Sequence, residues 1–103
     1  MANAKKMTRF VAVHPGEFLR EDFLKPLGLS VNALALALRV PATRISEIVN
    51  ERRGITTDTA IRLSLYFDTT PDFWINMQSA YELAIGETEL LPRLQKEVQR
   101  RVA

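Results

Sequence analysis

Apolar residues recur every three or four positions along most of this chain, the spacing that turns one face of an α-helix toward a core. The first such segment opens with His14-Pro15-Gly16-Glu17, where proline suits the first helical position and the glutamate suits the helix dipole. Pro26 and Gly28 are expected to end it. Only residues 10–13 form an apolar run that suits a short strand or an extended segment. The pattern as a whole predicts an all-α fold.

The stretch from Ser30 to Asn50 predicts two short helices joined by a tight turn. Ser30 is the expected cap of the first helix and Pro41 starts the second. The core-facing positions are Leu34, Ala35 and Leu38 in the first helix, then Ile45, Ile48 and Val49 in the second. The second helix therefore keeps a wide polar face free, as a helix-turn-helix requires. An ordinary helical hairpin in an all-α domain has the same pattern, so periodicity alone leaves both interpretations open.

Three more helices are expected after this pair. Thr56 or Thr57 caps one, and Thr70-Pro71-Asp72 starts the next, which Gly86 is expected to stop. A spacing near four through Leu94, Val98 and Val102 predicts a final amphipathic helix with Pro92 in or just before its first turn. The predicted organisation is a loose N-terminal arm at 1–13, a helical domain at 14–86 and a C-terminal amphipathic helix at 87–103.

Composition narrows the function classes. The 103 residues suffice for one domain with a modest core. The absence of cysteine excludes disulfides and thiolate metal sites and fits a reducing cytosol. No apolar run approaches the roughly 20 residues of a membrane span, so no membrane association is expected.

Charge is unevenly distributed along the chain. Residues 1–53 carry nine Lys and Arg against five Asp and Glu, residues 54–91 carry one against six, and residues 92–103 carry four against one. This layout suggests different faces for different partners, although chance surface variation explains it too.

Candidate catalytic chemistry is sparse. His14 is the single histidine, and its place before a helix favours a capping or packing role. No second histidine or cysteine accompanies it, so no zinc site and no cofactor are expected. Asp58, Asp68 and Asp72 lie near predicted helix ends, where capping explains them better than acid–base catalysis. The sequence therefore favours a binding protein over an enzyme.

The predicted helix-turn-helix assigns roles in DNA binding. A helix fits the major groove of B-DNA, and the second helix of the pair reads base edges with its N-terminal residues. The predicted base-reading residues are Ala42, Thr43, Arg44 and Glu47. Arg44 is expected to pair with guanine O6 and N7, Glu47 to accept a hydrogen bond from the cytosine amino group, and Thr43 to contact a thymine methyl. The predicted phosphate contacts are Ser30, Asn32, Ser46, Asn50, Arg52 and Arg53.

Several motifs in order resemble one protein family. They are His14-Pro15-Gly16-Glu17-Phe18-Leu19, the segment from Val40 to Asn50, Arg52-Arg53-Gly54-Ile55-Thr56, Thr59-Ala60-Ile61-Arg62-Leu63, and the segment from Thr70 to Gln78. Together they make residues 14–85 resemble the HigA-type antitoxins, or VapI branch, of the Xre/Cro-like helix-turn-helix regulators. The resemblance implies a five-helix lambda-repressor-like domain, here with an additional C-terminal helix.

The same resemblance implies partners. It implies a cytoplasmic homodimer that binds a palindromic operator in double-stranded DNA, neutralises a HigB-type ribonuclease toxin and represses the shared operon. Ile75, Leu83, Leu94 and Val98 are the dimerisation candidates. Two alternatives stay open: a regulator of this family without a toxin partner, and a protein-interaction module that no longer binds DNA.

Two positions depart from the family pattern. The turn between the paired helices often holds glycine, and here it holds Arg39; the position after Asn50 usually holds glycine, and here it holds Glu51. A residue other than glycine in a left-handed backbone costs roughly 1 kcal/mol, unless the turn avoids that conformation. Glu51 is also expected to weaken the helix stop and to add negative charge near the phosphates.

Overall fold

The computed structural model describes residues 13–102, and over that range the chain forms six helices and no strand. Helix α1 is continuous through Pro15–Phe18, Leu19–Leu24 and Lys25–Leu27. It is followed by α2 (Val31–Leu38), α3 (Ala42–Val49), α4 (Thr57–Phe67), α5 (Pro71–Glu89) and α6 (Leu91–Glu97). The predicted all-α fold is confirmed. Apart from Val13, the predicted N-terminal arm lies outside the described residues, and the proposed division at residues 86 and 87 stays a prediction.

Helix α1 contains a π-helical segment, Leu19–Leu24, in which the Lys25 N–H donates to the carbonyl of Arg20, five residues earlier. Pro26 explains this wider turn, because its ring lacks an N–H and crowds the carbonyl four residues before it. Pro26 therefore lies inside the last turn and does not end the helix. The end comes at Gly28, whose φ of 61° is left-handed.

Side-chain caps define where the later helices begin. The Ser30 Oγ accepts the N–H of Ala33 at 3.0 Å, as predicted for α2. Thr56, rather than Thr57, caps α4, and Thr70 caps α5. Each cap satisfies a backbone donor that the first helical turn leaves without a partner.

The core joins α1, the α2–α3 pair and α4 to the first half of α5. All six predicted core positions of the α2–α3 pair are buried. Trp74 of α5 is fully buried, and its indole N–H donates to the Thr69 hydroxyl at 2.9 Å. Four other aromatic rings surround it: Phe18, Phe23, Phe67 and Phe73. Helix α5 is thus the scaffold that ties α1 to α4.

The C-terminal end differs from the prediction. Gly86 does not stop α5, which continues to Glu89, since a glycine inside a helix costs only about 1 kcal/mol. Pro92 lies in the first turn of α6 as predicted, but α6 is shorter than the apolar spacing suggested. Val98 has an extended backbone and Val102 lies beyond the helix. None of the helices in the described range is long and apolar enough to cross a membrane.

Candidate nucleic-acid interface

Helix α3 presents the four predicted base-reading residues on its outer side. Its inner side is buried, so the polar residues of the same short helix face outward. Ala42 and Thr43 are exposed in the first turn, and Arg44 and Glu47 are partly exposed. We call Ala42, Thr43, Arg44 and Glu47 the reading surface. The structure places these four residues on the outer side of α3, from Ala42 in its first turn to Glu47 in its second.

Both charged residues of the reading surface have ion-pair partners within the chain. The Arg44 guanidinium lies 2.9 Å from the Asp58 carboxylate, which also accepts a hydrogen bond from Arg62 at 2.8 Å. The hydrogen bond from Arg62, and then that from Arg44, lowers the pKa of Asp58. Glu47 pairs with Arg53 at 2.7 Å. Exposed pairs of this kind are weak, so groups on DNA can replace these partners.

The predicted phosphate contacts lie at two places. Ser30 and Asn32 are exposed at the N-terminus of α2, where backbone N–H groups favour an anion. Ser46, Asn50, Arg52 and Arg53 lie along the end of α3 and the loop that follows it. The Asn50 side chain donates to the Ser46 carbonyl at 2.8 Å and so closes the end of α3. Arg52 is exposed and forms no ion pair with any residue in the 13–102 range.

The start of α1 contacts the C-terminal end of α3. A Cβ atom on Gly16 would lie 1.7 Å from the Ile48 carbonyl oxygen, so only glycine allows this approach. The Gly16 N–H donates to Nδ1 of His14 at 2.8 Å, which confirms the predicted capping role of His14. The His14 ring is buried and stands edge-on to Tyr81 of α5 at 4.9 Å between centroids. The sequence His14-Pro15-Gly16 therefore positions α3.

Arg20 adds a second contact at the same end. Its guanidinium donates to the Val49 carbonyl, the last one of α3, and lies 3.6 Å from the Glu51 carboxylate. A cation at a helix C-terminus stabilises the helix dipole and satisfies a carbonyl that has no helical partner. Sequence periodicity gave no sign of this role, because the contact depends on how α1 packs against the end of α3.

Gln78 was also missed as a positioning residue. Its Oε1 accepts the Ile55 N–H at 2.8 Å and its Nε2 donates to Glu82 at 2.8 Å. A Cβ atom on Gly54 would come within 2.9 Å of the Gln78 amide group, so the loop packs closely on α5. This buried amide fixes the loop that carries Arg52 and Arg53. The one available signal was its position four residues after Trp74, which puts the two side chains on the same face of α5.

Both departures from the family pattern adopt the strained conformation. Arg39 has φ 61° and ψ 44°, and Glu51 has φ 62°. Helix α3 nevertheless ends at Val49, so Glu51 does not remove the helix stop. The Arg62 guanidinium donates to the Leu38 carbonyl at 2.7 Å and satisfies the end of α2 beside the Arg39 turn.

The dimerisation candidates differ in exposure. Leu83 is 64 % exposed, Leu94 36 % and Val98 68 %, whereas Ile75 packs partly against the core. Leu90 and Leu91, which lie between Leu83 and Leu94 in the sequence, are also exposed. The C-terminal end of α5 and helix α6 therefore both present exposed apolar side chains.

Several known proteins are similar to this chain in sequence and in fold. A helix-turn-helix family model matches residues 21–74. Virulence-associated protein I of Dichelobacter nodosus is 58 % identical over 78 residues, which span 76 % of this chain and 72 % of that protein. Antitoxin HigA-1 of Vibrio cholerae is 36 % identical over 78 residues, which span 76 % of this chain and 73 % of that protein. The Pseudomonas aeruginosa antitoxin HigA, solved with the higBA promoter, superposes with a TM-score of 0.84 at 44 % identity, with 88 % of this chain and 99 % of that chain covered. This chain therefore belongs to the helix-turn-helix family that includes virulence-associated protein I and the HigA antitoxins.

Proposed function

We propose that this protein is a sequence-specific DNA-binding repressor and the antitoxin of a HigB–HigA-type pair, which neutralises a ribonuclease toxin and represses their shared operon. The observation that carries the proposal is the exposed reading surface on a helix-turn-helix that matches an antitoxin solved with its promoter. The protein would work in the cytoplasm, where its DNA lies.

Base reading would depend on exchange of ion-pair partners. In the free chain Arg44 is held by Asp58 and Glu47 by Arg53. When α3 enters the major groove, the Arg44 guanidinium can pair with guanine O6 and N7, and Arg53 can move from Glu47 to a phosphate. Glu47 would then be free to accept from a cytosine amino group.

A homodimer would place two reading surfaces on one palindrome. Leu83 and Leu94 on the helices and Val98 just beyond α6 support this, because covering exposed apolar side chains with a second copy lowers the free energy. The two copies of α3 would then reach successive major grooves about 34 Å apart. Sedimentation equilibrium tests the dimer, and a monomer mass at concentrations that saturate the operator would contradict it.

The test of base reading compares two arginines by gel shift at fixed salt on the operator and on unrelated DNA. Arg44→Ala should weaken operator binding about 5- to 150-fold and leave unrelated DNA almost unaffected. Arg52→Ala should weaken binding to both DNAs and reduce the slope against log salt by about 1. Arg93→Ala, an exposed arginine on α6, is the matched control. Unchanged operator affinity for Arg44→Ala would show that the reading surface is assigned wrongly.

The toxin partner is tested separately. Residues 54–91, with one basic and six acidic residues, would suit a basic ribonuclease. If a small basic open reading frame lies next to this gene, its expression alone should arrest growth and co-expression with this protein should restore growth. If no adjacent gene encodes a toxin, the alternative holds: an Xre-family transcriptional regulator without a toxin partner.

A further inference from the structure

The Asp58 carboxylate, in the first turn of α4, accepts hydrogen bonds from two arginines. Arg44 donates from Nη1 to its Oδ1 at 2.9 Å, and Arg62 donates from Nε to the same oxygen at 2.8 Å. Arg62 also donates from Nη1 to the Leu38 carbonyl at 2.7 Å. Asp58 is therefore anchored to the end of α2 through Arg62, and it holds the Arg44 guanidinium in a defined position beside α3.

This contact changes the charge that α3 presents to DNA. Arg44 is the one cation of the reading surface, and Asp58 compensates its charge within the protein. The hydrogen bonds from Arg62 and Arg44 lower the pKa of Asp58, so its carboxylate stays ionised at neutral pH. If Arg44 moved to a phosphate, one exposed anion would replace another. Such an exchange releases few counterions and gains little free energy.

A guanine differs from a phosphate as a new partner for Arg44. Its O6 and N7 accept two hydrogen bonds at fixed positions in the major groove, and a contact of this kind discriminates against the other bases. Both side chains of the Arg44–Asp58 pair are partly exposed, so the pair is weak enough to yield to such a contact. Asp58 therefore opposes the contact of Arg44 with a phosphate more than its contact with a guanine.

We propose that Asp58 is a positioning residue that sets the specificity of DNA binding: it withholds Arg44 from the phosphates of unrelated DNA and releases it to a guanine of the operator. The proposal rests on the proposed DNA-binding function and adds to it a residue on α4, a helix to which no base contact is assigned. The cation that reads the base is thus kept from strengthening contacts that carry no sequence information.

The test measures affinities by gel shift between about 50 and 200 mM salt, on the DNA upstream of this gene and on an unrelated duplex of the same length. Asp58→Asn removes the charge and frees Arg44 for one more phosphate contact. On unrelated DNA it should steepen the slope of log affinity against log salt by about 0.9 and tighten binding about 8-fold at about 0.1 M salt. Operator binding should tighten less, by at most about 5-fold, the value of one exposed ion pair. The preference for the operator should therefore fall.

Arg44→Ala shows whether the effect passes through Arg44. In that background Asp58→Asn should leave the salt slope unchanged, because no guanidinium is freed. Asp58→Ser, a second neutral replacement, should give the same results as Asp58→Asn in both backgrounds.

Asp72→Asn is the matched control. Asp72 is also an exposed aspartate at the second position of a helix with a threonine cap. It forms no ion pair with any residue in the range 13–102. Its replacement should change neither the salt slope nor the preference for the operator.

The outcomes separate this inference from the proposed function. If the wild-type protein prefers its upstream DNA and Asp58→Asn leaves the slope and the preference unchanged, Asp58 has no such role and the proposed function stands. Equal steepening in the Arg44→Ala background would also overturn the inference, because the loss of any nearby negative charge would then explain it. A wild-type protein without preference for its upstream DNA would overturn the proposed function and this inference together.

Discussion

Replacement of Arg39 by glycine should stabilise the protein. Arg39 joins α2 to α3 with φ 61° and ψ 44°, a left-handed backbone that costs a residue with a Cβ about 1–2 kcal/mol. Glycine avoids that cost but loses about 0.5–1 kcal/mol through its greater freedom in the unfolded chain. The Arg39 side chain is exposed and forms no ion pair with residues 13–102, so little else is lost. The net gain in the free energy of unfolding should be about 0.5–1 kcal/mol.

Thermal unfolding followed by circular dichroism measures this gain. For a domain of this size it corresponds to a rise in Tm of about 2–8 °C. Gly28→Ala is the reverse control, because Gly28 also has φ 61° and a Cβ there would meet no atom within 4 Å. It should lower Tm by a similar amount through backbone strain alone. If Gly28→Ala destabilises as expected and Arg39→Gly does not stabilise, the strain argument fails for this turn.

Three further predictions concern the contacts that position α3 and its loop. Gly16→Ala should destabilise by about 1–3 kcal/mol, measured by urea unfolding, because its Cβ collides with the Ile48 carbonyl. Gln78→Leu should cost about 1–3 kcal/mol in the same assay, because the buried Ile55 N–H loses its acceptor. Burial lowers the pKa of His14 in the fold, although Glu51 and Glu17 oppose this. Stability should therefore be full above the ordinary histidine pKa of about 6.5 and fall as pH drops below it. His14→Asn, whose side-chain oxygen can accept the Gly16 N–H in place of Nδ1, should flatten that fall, and an unchanged pH profile of Tm would contradict it.

The positions where helices begin were predictable from local chemistry. Ser30 and Thr70 each accept a backbone N–H from a residue three positions later, so both partners of the hydrogen bond are close together in the sequence. The end of α5 was not predictable in this way. The Leu90 N–H donates to the Gly86 carbonyl at 2.7 Å, and the helix continues because its hydrogen bonds outweigh the modest cost of one glycine. The π-helical segment Leu19–Leu24 was not predictable either, because it depends on how the backbone ahead of Pro26 relieves the clash with the proline ring.

The candidate site likewise contains features that the sequence could predict and features that depend on tertiary packing. Periodicity located Thr43 and Glu47 on the face of α3 opposite the core and Arg44 on its flank, because burial of the other face follows from the spacing of apolar residues. It could not show that Arg44 meets Asp58, fourteen residues away on α4, because that contact depends on how two helices pack. Nor could it assign a role to Gln78, a polar residue in an apolar stripe, without the loop that lies against it.

The N-terminal part of the reading surface and the contacts that position α3 lie at opposite ends of that helix, whereas Glu47 lies in its second turn. Ala42 and Thr43 begin α3, whereas Gly16 and Arg20 of α1 contact the carbonyls of Ile48 and Val49 at its end. A helix of eight residues is about 12 Å long, so a small rotation at the fixed end displaces the reading end against the bases. The close approach at Gly16 leaves no space for such a rotation. The position of the proposed reading surface therefore depends on α1, which supplies none of the proposed DNA contacts.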